Sequence, residues 1–300
     1  MTWLDTYRGT VHRWEVDNVD HFTVAYYFAR FEDAALGLLR EIRLDPGALA
    51  GSGQFCATLG CHVRYLRELR VGDILHIQSG VIEVADTGLA IGHRVFDSGD
   101  GALCTTVEQR VALVEVGRRT PLPLDPARRA LARARSVEWT PVEVPPPRME
   151  MAPLDGLGET ARDTIKTWEV DTLGQAAFPA YIHRFSAANG HMLASFGVTP
   201  AYMRSERRGF STFEFRLSFS GALRAGEFAR VRSGLLHVGN SSMRLLHRMD
   251  NLATGEEVAA LEQAGVHLDI DARRPTPLPA AIRDRARTKL VVASAEAPGG

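Results

Sequence analysis

An aspartate and a histidine four residues apart, Asp17 and His21, precede a long apolar stretch. An aspartate and a glutamine, Asp171 and Gln175, hold the same places 154 positions later. A carboxylate can act as a general base on water or as a nucleophile, and an imidazole exchanges a proton near neutral pH. Glutamine transfers no proton but can donate a hydrogen bond, so the second pair would form an altered or degenerate site. A helix starting just behind such a loop adds unpaired N–H groups and a partial positive charge, which makes the amides around Thr23 and Val24 candidates for polarising a carbonyl oxygen. An aspartate just ahead of a helix is by default a cap or turn residue, and residue types alone leave both readings open.

The offset is general. Trp14-Glu15-Val16-Asp17 recurs as Trp168-Glu169-Val170-Asp171, and Arg30-Phe31, Ser79-Gly80, His93-Arg94 and Glu108-Gln109 recur at the same distance. Two copies are too few for a solenoid, so a tandem pair about a pseudo-twofold axis is expected. The division is 1–124 for the first repeat, 125–160 for a linker, 161–283 for the second repeat and 284–300 for a tail. The linker opens on an Arg-rich helical segment and passes to Pro145-Pro146-Pro147, which is extended.

Each copy carries the elements needed to hold the loop. A short strand is expected to end at Asp17. Tyr27, Phe28, Phe31, Ala35, Leu38 and Ile42 then form one stripe of helical period, which predicts a helix over 23–43 with Thr23 as its N-cap. Phe178, Tyr181, Ile182, Phe185, Met192 and Phe196 repeat the stripe, with Pro179 in the first turn. Strands are predicted over 61–69, 73–85, 88–97 and 103–116, and over 212–222, 227–239, 242–250 and 257–270. A long apolar helix followed by an antiparallel meander implies a sheet curled around that helix.

Composition narrows the class. The 300 residues are 45% hydrophobic, enough for a sizeable core, and the net charge of −1 lacks the basic footprint of a dedicated nucleic-acid binder. Cys56, Cys61 and Cys104 are too few for a disulfide framework, no apolar run approaches a membrane span, and the N-terminus has no basic-then-apolar leader. A cytoplasmic protein is expected, without nucleic-acid or membrane partners. The ten histidines are not at metal-ligand spacing, so no metal is expected. His93 and His247 fall mid-strand and are read as structural. His191 is out of register with the first copy. Arg64, Arg67, Arg70, Arg207 and Arg208 suit phosphate, although scattered surface arginine is the ordinary reading of an Arg-rich chain.

The loop Asp17-Asn18-Val19-Asp20-His21, with Tyr27 ten residues after Asp17, resembles the hotdog-fold thioesterase family, in its 4-hydroxybenzoyl-CoA thioesterase-like and acyl-ACP thioesterase-like branches. Many members carry Asp-x-x-Gly-His. Here Asp20 replaces that glycine, and the second copy keeps Gly174 but has Gln175 for the histidine. The resemblance implies an α+β double hotdog, in which each repeat has a central helix wrapped by an antiparallel sheet and the two pack as a pseudo-dimer. It implies an acyl-thioester hydrolase with Asp17 and His21 as the catalytic pair, an oxyanion held near Thr23 and Val24, and an apolar channel with Phe22, Tyr26, Phe178 and Met192 as candidate linings. The substrate would be a coenzyme A or acyl-carrier-protein thioester, no cofactor would be needed, and a homo-oligomer of pseudo-dimers is compatible with it. A hydratase or dehydratase of the same fold is disfavoured, because those place histidine five residues after aspartate behind a proline. A non-catalytic acyl-thioester-binding protein with a decayed site is the third reading.

Overall fold

The computed structural model describes residues 2–17, 20–116, 120–140 and 154–293. The helical stripe of the first copy forms α1 (Val24–Glu41), which buries Tyr27, Phe28, Phe31, Ala35 and Leu38. Thr23 occupies the N-cap with extended backbone, but its side chain makes no capping hydrogen bond. The strand expected to end at Asp17 stops earlier. β1 spans Leu4–Thr10, and Arg13–Glu15 forms a 3₁₀ turn. The Glu15 carboxylate accepts the His12 N–H at 2.9 Å and the Glu15 N–H donates to the His12 carbonyl at 3.0 Å, closing a turn where a strand would have run on.

The meander of the first copy is β2 (Gln54–Tyr65), β3 (Ile74–Val84), β4 (Gly88–Asp97) and β5 (Leu103–Glu115), followed by α2 (Pro126–Ala134), which is N-capped by Asp125. β2 starts at Gln54, ahead of the expected 61, because Gln54–Thr58 pairs with Val111–Glu115. After a short β6 (Leu154–Asp155), the second copy runs β7 (Gly158–Thr164), α3 (Phe178–Ser195), α4 (Pro200–Ser205), β8 (Arg208–Phe219), β9 (Phe228–Val238), β10 (Ser242–Asn251), β11 (Glu257–Asp269), β12 (Arg274–Pro275), α5 (Ala280–Arg287) and β13 (Val292–Ala293). The extended half of the expected linker, with its three prolines, and the last seven residues lie outside the described residues.

All ten long strands join one antiparallel sheet in the order β1-β3-β4-β5-β2-β8-β11-β10-β9-β7. The order is its own mirror image under the repeat. At the β2–β8 seam His62 faces Arg216, its equivalent 154 positions on, so the pseudo-twofold axis passes through that pair. Cys61, Val63, Phe215 and Leu217 of the seam join the buried core, while its other face is polar. His62 Nε2 lies 2.8 Å from Glu214 Oε1. Burial alone would raise the Glu214 carboxyl, but His62, Arg216 and Arg244 pull it down to about 2. Under the sheet α1 and α3 share one core, in which Phe28, Phe31, Phe185 and Phe215 are all nearly or fully inaccessible. The fold is thus an α+β double hotdog packed as a single body.

His93 and His247 are wholly buried. Thr6, Ser79, His93, Gln109 and Thr58, one from each strand of the first copy, form a hydrogen-bonded chain with links of 2.6, 2.7, 3.2 and 2.8 Å. Thr160, Ser233, His247, Gln263 and Thr212 stand at the equivalent places in the second. Burial pushes both imidazoles from 6.5 down to about 4. Between pH 6.5 and 4 the unfolded chain therefore takes up protons that the folded chain refuses, so stability falls as pH falls through this window. The loss at pH 5 is about 2 kcal/mol per histidine. Urea unfolding should show a lower midpoint at pH 5 than at pH 7. In a His93→Gln/His247→Gln variant that difference should shrink, and an unchanged difference contradicts the assignment.

Candidate active site

The repeated tetrapeptide and the repeated Arg-Phe are partners. Arg30, on α1, meets the buried Glu15 carboxylate at 2.5 Å, and Arg184, on α3, donates two hydrogen bonds to Glu169. This ties the strand-to-helix connection to its own helix. Asp17 then closes the loop. Its Oδ1 accepts the His21 N–H at 3.0 Å, and its own N–H donates to the His21 carbonyl at 2.9 Å. The cap reading of Asp17 is therefore true, and it is also what brings the His21 ring to the helix mouth. Asp20, in the place of the family glycine, has φ +60, and Gly174 has φ +72, so this position demands left-handed backbone. Aspartate tolerates that region better than most residues, and Asp20 adds a contact with Arg13 at 2.9 Å.

A cleft of about 710 Å³ opens in front of this loop. Asp17, His21, Phe22, Thr23, Val24 and Tyr26 all line it, and α3, β8 and Gln263 from the second copy form its far wall. His21 Nε2 lies 2.6 Å from Glu68 Oε2. Glu68 also pairs with Arg70 and with Arg273, the latter reaching across from the second copy. Burial would raise the Glu68 carboxyl, but hydrogen bonds from Arg273 and Arg70 and the nearby His21 hold it below the usual carboxylate value. His21 thus faces a fixed negative charge.

Three of the expected roles change. The Thr23 N–H donates to the Glu15 carbonyl at 2.8 Å and is not free for an oxyanion. The amides left without a partner among the described residues are those of Val24 and Ala25, in the first turn of α1, and both residues line the cleft. Phe178 faces the core, stacked on Phe219 at 5.2 Å and edge-on to Phe28 at 5.9 Å. Met192 is buried beneath α5 with Leu235 and Ile282. Neither lines the cleft, because the stripe that suggested them is the face α3 turns to the core. Of the arginines considered for phosphate, only Arg67 lines the cleft, and it is paired with Asp100 at 2.6 Å.

The second copy builds the same turn. Asp171 Oδ1 accepts the N–H groups of Leu173 and Gln175 at 2.8 and 3.0 Å. Its surroundings differ. Ser186 on α3 lines the cleft together with Asp17, and its equivalent on α1 is Glu32. Burial, Asp33 and Asp171 push the Glu32 carboxyl up to about 7.

A family model described as the thioesterase-like superfamily matches residues 11–145 and again 165–286. The chain belongs to the thioesterase-like superfamily. Betainyl-CoA thioesterase from Pseudomonas aeruginosa is 27% identical over 122 residues, 41% of this chain and 77% of that one. The 12:0-ACP thioesterase from Umbellularia californica shares the fold at a TM-score of 0.67 with 12% identity, covering 90% of this chain and 93% of that chain. An acyl-ACP thioesterase from Bacteroides thetaiotaomicron does so at 0.66 with 14% identity, covering 86% and 96%. Two matches of one family model in one chain are what the 154-residue repeat implies.

Within this thioesterase-like site, several lining residues carry no signal in a motif search. Glu68 comes from the loop after β2, His183, Ser186 and Asn189 from α3, Thr212 from β8 and Arg273 from the turn before β12. Glu68 left one trace, in that it breaks the repeat. The second copy, which has Gln175 for His21, has Ala222 for Glu68. Histidine and glutamate are present together and absent together.

Proposed function

We propose that the chain hydrolyses acyl thioesters at the loop of its first copy. The observation that carries this reading is the convergence, in one cleft, of the Asp17 carboxylate, the Glu68-paired His21 ring and the open amides of Val24 and Ala25. In the reaction Asp17 takes a proton from water as its oxygen bonds to the thioester carbon. The carbonyl oxygen, now negative, lies against the α1 amides. The C–S bond then breaks and His21 delivers a proton to the departing thiolate. Glu68, 2.6 Å from its Nε2, positions the ring. Direct attack by the Asp17 carboxylate is the variant of this scheme that passes through an anhydride.

The name of the relative from Pseudomonas aeruginosa supports a coenzyme A thioester as the first carrier to test. The reading calls for no cofactor, and a cytoplasmic setting is proposed with it. Among the described residues no helix is long and apolar enough to cross a membrane. A panel of acyl-CoA thioesters followed with a thiol reagent should show release of free thiol from at least one member. Binding of the panel without thiol release would overturn the hydrolase reading.

A further inference from the structure

The wall that α3 turns to the cleft carries small and neutral polar residues, where the equivalent wall of α1 sets one carboxylate among apolar side chains. His183, Ser186, Asn189 and Gly190 line the cleft, and their equivalents on α1 are Ala29, Glu32, Ala35 and Leu36. Asn189 is the unusual member. Its Oδ1 is buried and has no hydrogen-bond partner among the described residues. Buried acceptors in folded proteins are nearly always satisfied, so an orphan that lines a cleft calls for a partner that arrives with the ligand. Gly190 agrees independently. It lies inside a helix, where glycine weakens the element, yet nothing comes within 4 Å of where its Cβ would stand. No packing contact requires it to be small, whereas the leucine of the other copy would fill the cleft at this point.

We infer that Asn189 is a specificity residue of the cleft. Its Oδ1 accepts a hydrogen bond from an N–H or O–H donor on the bound thioester, and Gly190 leaves the space for that group. Two parts of such a ligand can supply the donor, a hydroxyl or amino substituent on the acyl group or an amide N–H of the pantetheine arm. Thr212, on the same wall of the cleft, is already engaged, since its oxygen accepts the Gln263 amide at 2.7 Å. The inference rests on the thioesterase reading of this cleft.

The test compares the intact protein with Asn189→Leu, of similar volume, and with Asn189→Ala, the residue the first copy tolerates at its equivalent position. The substrates are acyl-CoA pairs of equal length with and without a hydroxyl, together with the same acyl groups on ethanethiol. If the donor is on the acyl group, the intact protein favours the hydroxylated member at least about tenfold in kcat/KM. Both variants then lose that preference while keeping activity on the plain member. If the donor is in the pantetheine arm, both variants raise KM on every acyl-CoA, and the difference disappears on the ethanethiol esters. A change of under twofold in kcat/KM on all substrates, or a uniform fall in kcat alone, overturns the inference. The same comparison made as Kd values with non-hydrolysable thioether analogues separates this inference from the hydrolase reading. A preserved binding preference without turnover would sink hydrolysis and keep the role of Asn189.

Discussion

Asp17→Asn should lower kcat on a thioester substrate by about 10²–10⁴-fold while leaving the fold intact. The choice of asparagine matters. Asp17 Oδ1 accepts the His21 N–H at 3.0 Å, and an asparagine carbonyl oxygen can still accept it, so the turn survives while the negative charge goes. Alanine would remove both and confuse a collapsed loop with a lost base. His21→Gln, which installs the residue the second copy carries, should reduce kcat by a smaller factor, because Val24 and Ala25 still polarise the carbonyl. Asp171→Asn is the matched control, since Asp171 caps an equivalent turn, and it should change kcat by less than about twofold if the first copy alone turns over. Steady-state kinetics on the three variants, with circular dichroism as the check on folding, decides the matter. Full activity in Asp17→Asn would remove this residue from the chemistry and leave it as a cap.

Arg30→Met should destabilise the protein by about 3–5 kcal/mol, since it strands a carboxylate that the fold buries. The Glu15 side chain is only 4% exposed and meets Arg30 at 2.5 Å. Arg184→Met removes the equivalent partner of Glu169 and should cost a similar amount, though Asp163, another of its partners, is half exposed and recovers some hydration. The two variants should part in activity. At a temperature where both are folded, Arg30→Met should lose turnover beyond its loss of stability. The reason is that the Glu15 carbonyl holds the Thr23 N–H at 2.8 Å, two residues from Asp17, and so sets the mouth of α1. Arg184→Met should retain turnover. Urea unfolding gives the first comparison and kinetics below the transition gives the second. Equal activity losses in both variants would mean that both loops work.

Much of the fold was legible because it rests on local pattern. The helical stripe of α1 and the alternation of the strands are properties of neighbouring residues, and the 154-residue offset doubles each signal. The boundaries that moved were those with a tertiary cause. β2 began early because its first residues pair with β5, and β1 ended early because Glu15 folds back on His12. Asp17, His21, Phe22, Val24 and Tyr26, close together in the chain, all line the cleft. Thr23 was misread because its amide is used by a carbonyl that no spacing rule points to. The stripe that holds Phe178 and Met192 does not by itself say whether it faces a core or a channel.

The duplication, the helix-wrapping sheet and the loop on which the chemistry would sit can be read from the chain alone. All of these depend on contacts within one copy, which local periodicity and spacing encode. Only the tertiary structure decided that Glu68 faces His21, that Arg273 crosses from the other copy to join them, and that the far wall of the cleft is the polar face of α3. Those groups stand 47 or more positions from the loop. They meet it because β2 and β8 zip the two copies together about His62 and Arg216, and association across a pseudo-twofold axis leaves no periodic trace in the chain that undergoes it.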